Sequence, residues 1–369
     1  MLERFGPLIT LILLIVATAV CQRLRSGSTT FLSLENFRNI LANWSFVGII
    51  ALGMTFIIIS GGIDLSVGSL VAFAGGAGIW MMNTAIDAVR IRQEYDAVGQ
   101  TNLPLPYSAF RAGLANVMIS LHLAGSERAG VIIAVAITIL IGILAGIING
   151  LLIVRARIAP FITTLGGFAA YRSLAMAMID GGTFDSNSPD LFHRIAGGGI
   201  TIPGLHIGAD KPFIVPYPIF IFFFLALAMA VVLNHMRFGR YIFAIGNSER
   251  ATRYSGVNIE RVKILAYVLI GALTGISALL VASHTNSVSS SSTGQLYELD
   301  VIAAVVVGGT RMTGGSGTIF GTVIGVLILG VIGNMLNFLD VSIYLQGLIK
   351  GGIIVAAAFV QQIGQRETP

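Results

Sequence analysis

An all-α integral membrane protein of about ten transmembrane helices, some of them discontinuous, is the fold class this sequence predicts. Three observations predict it. Hydrophobic residues make up 55% of the 369 and charged residues only 11%, against roughly 25% charged in a soluble globular chain; the mean hydropathy is +0.87. Apolar runs long enough to cross a bilayer, roughly 20 residues each, recur along the whole chain. Glycine occurs 45 times, as expected where membrane helices approach through small residues. In this setting the net charge of +5 reads as basic loops facing anionic lipid, not as a nucleic-acid surface. Cys21 is the single cysteine, which leaves no disulfide framework and no cysteine-based metal site.

The runs fall in order at residues 5–21, 44–60, 65–82, 131–154, 158–177, 213–233, 264–282, 319–332 and 343–360. The first follows a weakly basic start and has no clear small-residue cleavage site after it, so it is read as a retained helix. Between residues 282 and 319 lies a shorter apolar piece, 301–308, which as a helix crosses only about 12 Å. Extended back to Leu296 it covers about two-thirds of the hydrocarbon core, a broken or tilted span that brings the count to about ten. Nothing between the runs resembles a soluble domain, so residues 1–369 are expected to form one membrane domain.

Lys and Arg set the expected orientation. With the N-terminus inside, residues 235–263 are cytoplasmic and carry Arg237, Arg240, Arg250, Arg253, Arg261 and Lys263. Arg155, Arg157 and Arg311 fall on the same side. The longer segments 83–130 and 180–211, which mix acids with bases, fall outside. Arg23, Arg25 and Arg38 then lie outside as well, against the trend.

Two interrupted segments carry the polar chemistry. In IIISGGIDLSVGS (57–69), Gly61 and Gly62 break an apolar run, since glycine costs a helix interior roughly 1 kcal/mol. Asp64 follows where an N-cap would stand, with Leu65-Ser66-Val67 as the first turn of the next helix. An intramembrane carboxylate beside irregular backbone is also a candidate for lining a water-filled path. The two roles are compatible. The segment YELDVIAAVVVGGTRMTGGSGT (297–318) has a similar grammar: Glu298 and Asp300 open a short apolar stretch that ends at Gly308 and Gly309. Paired interruptions of this kind point to a translocation path, with Gly61, Gly62, Asp64, Ser66, Glu298, Asp300, Gly308 and Gly309 as its candidate residues. Lys350, placed within the last run, either pairs with a carboxylate or snorkels to the interface.

The segment GRYIFAIGNSERATRYSGVNIERVKILAY (239–267) reads as a short capped helix between two spans. Asn247 or Ser248 can cap it, Glu249 adds charge to its first turn, Gly256 ends it, and Asn258 can cap the helix that follows. A basic capped helix here suits either a lipid-facing loop or a docking surface.

Taken together, ALGMTFIIISGGIDLSVGS (51–69), FGRYIFAIGNSERATRYSGV (238–257) and YELDVIAAVVVGGTRMTGGSGT (297–318) closely resemble permease subunits of bacterial ABC-type sugar importers, the group serving ribose, xylose, arabinose, galactose and galactofuranose. The likeness covers nearly the whole chain in order. It implies an inner-membrane permease that dimerises with an identical or paralogous chain, with an ABC ATPase pair on the cytoplasmic side and a periplasmic sugar-binding protein outside. It also implies that residues 248–256 form the coupling helix seated in the ATPase, with Glu249 in its first turn, Arg250, Arg253 and Tyr254 as contacts and Gly256 as terminator. Thr252 stands where that family more often has alanine, and the segment 83–130 is longer than usual.

No G-x-x-x-x-G-K-[ST] loop occurs, so ATP would be bound by the partner and the chain is expected to need no cofactor of its own. His122, His193, His206, His235 and His284 show no metal-ligand spacing. Ser316, in GGSG, has no embedded histidine within the spans to serve as its base. The competing readings are a self-sufficient secondary transporter or facilitator, with Asp64 or Glu298 as coupling carboxylate, and the same ABC architecture carrying a nucleoside or a furanose-derived signal.

Overall fold

The computed structural model describes residues 2–27, 30–99, 106–207, 211–342, 345–349, 351–352 and 355. Lys350 and most of the 343–360 run lie outside the described residues. The order is α1 (Leu2–Ser26), α2 (Leu34–Ile59), α3 (Val67–Ile86), α4 (Ala88–Gly99), α5 (Pro106–Ser120), α6 (Glu127–Val154), α7 (Pro160–Ala177), β1 (Thr183–Asp185), α8 (Pro189–His193), β2 (Gly199–Ile207), β3 (Lys211–Pro216), α9 (Tyr217–His235), α10 (Arg237–Asn247), α11 (Glu249–Tyr254), α12 (Ile259–Thr285), β4 (Ser287–Ser289), α13 (Tyr297–Val307) and α14 (Ile319–Phe338).

Among the described residues seven helices are long and apolar enough to cross a membrane: α1, α2, α3, α6, α9, α12 and α14. The 18-residue α7 and the 11-residue α13 are helical at the expected places but fall outside that group. Helices α2, α6 and α12 start earlier than their apolar runs because their first turns are polar and capped. Ser33 Oγ accepts from the Asn36 amide at 3.2 Å, Ser126 Oγ from Ala129 at 3.3 Å and Asn258 Oδ1 from Arg261 at 3.0 Å. Such caps satisfy backbone donors that the helix itself leaves unpaired.

Helix α2 is the centre of the bundle and is buried along nearly its whole length from Ser45 to Ile59. It packs on α12, α14, α13 and α9. The most extensive contact in the bundle is the antiparallel pair α6–α12. A Cβ at Gly142 would overlap Gly271 and Gly275, one at Gly146 would overlap Tyr267, and one at Gly150 would stand 3.1 Å from Ile264 Cα. Glycine faces of this kind let two membrane helices meet backbone to backbone.

Three features between the spans were not expected. In segment 83–130 the described residues form α4 and α5, which pack on each other around Ala85, Ala88, Ile91, Ala115 and Met118. The segment 180–211 contributes strands: β1 pairs with β4, and β2 pairs with β3, each antiparallel. These two small sheets qualify the all-α reading without altering the helical bundle. The third is α10, whose buried Gly239, Ile242 and Ile245 recur every three residues, an amphipathic pattern that lays it against the bundle.

Candidate translocation seam and coupling junction

Helix α2 ends in a Schellman motif. The Gly61 amide donates to Ile58 O and the Gly62 amide to Ile57 O, both at 2.9 Å, and Gly61 takes φ +79°. Only glycine adopts that conformation freely, which is why the double glycine stands here. The chain then runs without helix to Ser66. The Tyr267 hydroxyl on α12 donates to Ile63 O at 3.3 Å, and a Cβ at Gly62 would stand 2.9 Å from that same hydroxyl.

Asp64 is buried, and its Oδ1 accepts from the Ser66 amide at 2.9 Å and the Ser66 hydroxyl at 2.6 Å. The Asn149 carboxamide on α6 donates to Ser66 Oγ at 3.1 Å. The expectation that Asp64 would be the N-cap of a helix starting at Leu65 needs correction: α3 begins at Val67, Ser66 holds the cap position without a side-chain cap bond, and Asp64 serves the amide just before it. The carboxylate therefore closes a turn that joins the break to α6 through Ser66.

The second interruption meets the first at a glycine contact. A Cβ at Gly68, in the first turn of α3, would collide with Glu298 Oε2 and Gly294 O, and one at Gly294 (φ +71°) would collide with Gly68 O. Glu298 is buried, and its Oε2 has no hydrogen-bond partner among the described residues. Arg172 on α7 donates through Nη1 to the carbonyls of Ser290 and Thr293, each at 3.0 Å, pinning the loop that leads into α13. Asp300, two residues further along α13, is also buried. Gly308 and Gly309 close that helix at its far end, where Gly308 lies backbone to backbone against Gly321 of α14. Of the eight candidate residues, Gly61, Gly62, Asp64 and Ser66 gather at the break after α2, Glu298 meets the first turn of α3 at Gly68, and Gly308 lies at the other end of α13 against α14. Sequence reasoning missed Asn149, Arg172 and Tyr267, although an arginine in the 158–177 run was a visible signal.

The third element is a junction beneath α2. The Gly315 amide donates to Ile59 O at 2.9 Å. A Cβ at Gly246, in the last turn of α10, would fall on Ile59 O and the Gly315 amide. Helix α10 passes straight into α11, where Ser248 Oγ accepts from the Ala251 amide at 3.3 Å, which selects Ser248 over Asn247 as the cap. Gly256 takes φ +80° two residues past the end of α11. Arg250, Arg253 and Tyr254 are exposed, Tyr254 at 90%. Thr252 is buried, its hydroxyl bonding back to Ser248 O at 2.8 Å. Glu249 accepts from Lys263 at 2.7 Å and lies 3.5 Å from Arg253, so α11 is tied to the first turns of α12. The hydrogen bond from Lys263, with the charges of Lys263 and Arg253, holds the Glu249 carboxyl below its ordinary range despite partial burial.

A family model described as "Branched-chain amino acid transport system / permease component" matches residues 36–358. The chain belongs to this permease family. Among its relatives, the ribose import permease protein RbsC of Escherichia coli (strain K12) is 33% identical over 354 residues, covering 95% of this chain and 92% of the relative. RbsC of Bacillus subtilis (strain 168) is 33% identical over 361 residues, 98% and 93% of the two chains. The galactose/methyl galactoside import permease protein MglC of Salmonella typhimurium is 31% identical over 363 residues, 97% and 94%. This permease is accordingly a multi-pass membrane component of a transport system, and the seam and junction are features of such a component.

Proposed function

We propose that this permease is the membrane-spanning subunit of an ATP-driven importer and forms the path for a monosaccharide handed over by a periplasmic binding protein. The observation that carries the reading is the junction beneath α2. The exposed, capped helix α11 continues from α10, whose Gly246 bears on Ile59 O, the last helical residue before the break that holds Asp64. A push on α11 therefore reaches the path through one backbone contact. The relatives RbsC, XylH and MglC, named for ribose, xylose and galactose, support the solute class.

On this reading α7, α13 and the 343–360 run join the seven long helices as further spans, giving ten, with the N-terminus cytoplasmic in the bacterial inner membrane. Residues 1–369 form one domain. Segment 235–263 faces the ATPase, which binds the ATP, and segments 83–130 and 180–211 face the binding protein. A second permease chain completes the path. Gly61, Gly62, Asp64, Ser66, Glu298, Asp300, Gly308 and Gly309 shape it, and Glu249, Arg250, Arg253, Tyr254 and Gly256 form the coupling surface.

The test is recovery of the tagged chain from its native membranes in mild detergent, with partners identified by mass spectrometry. Co-purification of an ATPase carrying a phosphate loop is the expected result. Recovery of the chain alone, with uptake that collapses on adding an uncoupler, would replace this reading with an ion-coupled transporter.

A further inference from the structure

At the end of the bundle opposite α10 and α11, helices α2 and α14 enclose a groove of about 260 Å³ lined by Asn39, Asn43, Trp44, Asn334, Asn337 and Gln346. Its position follows from chain direction. Helix α2 starts at Leu34 beside the groove and ends at Ile59 against Gly246, which puts Asn43 and Ile59 about 24 Å apart along the helix. Asn36, Asn39 and Asn43 repeat at three- and four-residue steps on α2, as do Gly330, Gly333, Asn334 and Asn337 on α14, so each helix gathers them on one face. The glycines make room for the indole: a Cβ at Gly330 would stand 3.1 Å from Trp44 Cγ, and one at Gly333 would stand 3.5 Å from its Cζ2.

Among the described residues no charged side chain lines the groove. Each carboxamide offers one carbonyl and one NH2, and part of that capacity is used internally. Asn36 and Asn334 exchange hydrogen bonds at 3.0 and 2.9 Å, Gln346 Nε2 donates to Asn337 Oδ1 at 2.9 Å, and Arg38 donates to Asn39 Oδ1 at 2.9 Å. The NH2 groups of Asn39 and Asn337 are left over, together with the exposed Asn43, whose carboxamide has no hydrogen-bond partner among the described residues. Carboxamides that served only to tie helices would be paired across the seam as Asn36 and Asn334 are. Neutral donors and acceptors beside an indole match a ligand rich in hydroxyls and free of charge, with its C–H face on the ring and its hydroxyls on the amides. An anion would find no cation in the lining, and a cation no carboxylate.

We propose that this groove is an entry subsite for a neutral polyhydroxylated solute of monosaccharide size. Its place in the transport cycle rests on the import reading above, because that reading puts the groove on the side where solute arrives. Its binding chemistry stands independently of that.

The chain has two tryptophans, Trp44 and Trp80, so Trp80→Phe leaves Trp44 as the sole indole emitter. Titrating the full-length purified chain with D-ribose, D-xylose and D-galactose should give a saturable change in Trp44 emission with at least one of them. Asn43→Ala and Asn337→Ala, both at exposed positions, should each weaken that affinity about fivefold, as for loss of one neutral hydrogen bond. No saturable response to any of the three sugars, or affinity unchanged in both variants, overturns the proposal. Uptake by the intact transporter separates the two readings. If the wild type imports none of the sugars while Trp44 responds saturably, the import reading fails and the groove stands. If the wild type imports one and Asn43→Ala leaves its KM unchanged, the groove fails and the import reading stands.

Discussion

Replacing Gly246 with alanine tests whether the junction beneath α2 transmits force. Gly246 is in the last turn of α10, and the added Cβ would fall on the backbone carbonyl of Ile59 and the amide of Gly315. Backbone cannot rotate away as a side-chain tip can, so α10 must separate from α2. Three effects set the magnitude. Alanine favours the helix over glycine by roughly 1 kcal/mol. Overpacking of a tight contact costs about 1–3 kcal/mol, and loss of the 2.9 Å bond from Gly315 to Ile59 O costs about another 1 kcal/mol. The net is a penalty of about 1–3 kcal/mol, too small to unfold a bundle of this size but concentrated at one contact. The control is Gly166→Ala on α7, where an added Cβ meets nothing within 4 Å and alanine favours the helix by roughly 1 kcal/mol, away from α2. In proteoliposomes holding the intact complex, Gly246→Ala should retain ATP hydrolysis stimulated by the binding protein while uptake per ATP falls several-fold. Wild-type uptake per ATP in Gly246→Ala would refute the junction as the route of coupling.

Four further outcomes follow from the same geometry. Asp64→Asn keeps a carbonyl acceptor for the Ser66 amide and hydroxyl, so the thermal midpoint of the solubilised chain should stay near wild type, whereas Asp64→Ala strands both donors and should cost about 1–3 kcal/mol. Arg253→Glu sets two acids one turn apart on exposed α11; an exposed pair of this spacing is worth only about 0.3–0.5 kcal/mol, so insertion should be intact while co-purification of the ATPase drops. Arg172→Met frees the Ser290 and Thr293 carbonyls, and proteolysis within the loop before α13 should accelerate. Glu249 has a folded pKa below its unfolded value because of Lys263. The tie therefore contributes in full above the ordinary carboxylate range, near 4.3, and is lost as pH falls through the depressed value. Amide protection in α11 should hold from pH 8 to 5 and decline below that, and Lys263→Met should lower the protection at neutral pH and remove most of its decline.

The parts of this fold that were legible in the sequence are those where a local rule decides the outcome. The double glycine at 61–62, the Ser248 cap and the Gly256 terminator each follow from backbone conformation within a few residues, and each is where the pattern places it. The short helix before Gly308 was legible from the length of its apolar stretch. Elements whose reasons lie far away in sequence were not. Nothing near α10 says that Gly246 must be small; the cause is Ile59, on another helix. Asn149 sits in an apolar run with no local role and is explained only by Ser66 on α3. Strands β1 and β4 are three residues each and find their partner about a hundred positions away, beyond the reach of any periodicity. Asp64 was legible as a turn-former but not in its register, because a carboxylate can serve an amide two residues on without being the first residue of the helix.

The arrangement of rigid and interrupted elements bears on how such a permease can move. Helices α6 and α12 are locked by glycine contacts along most of their common length, and each sends one side chain to the break after α2: Asn149 to Ser66 and Tyr267 to the Ile63 carbonyl. Those bonds hold the upper part of the break to the rigid pair. The lower part, from Ile59 to Gly62, is held instead by Gly315 and overlain by Gly246, both on segments that lie outside that pair. A shift of α10 would bear directly on the end of α2 through Ile59 O and on the first turns of α12, which α10 and α11 touch. Flexible residues are required at few places for this. Gly61 and Gly314, with φ +79° and +87°, already occupy conformations in which glycine rotates at little cost, and they stand on either side of Ile59. A bundle hinged there can reorient its broken segments while keeping the packed face that stabilises it.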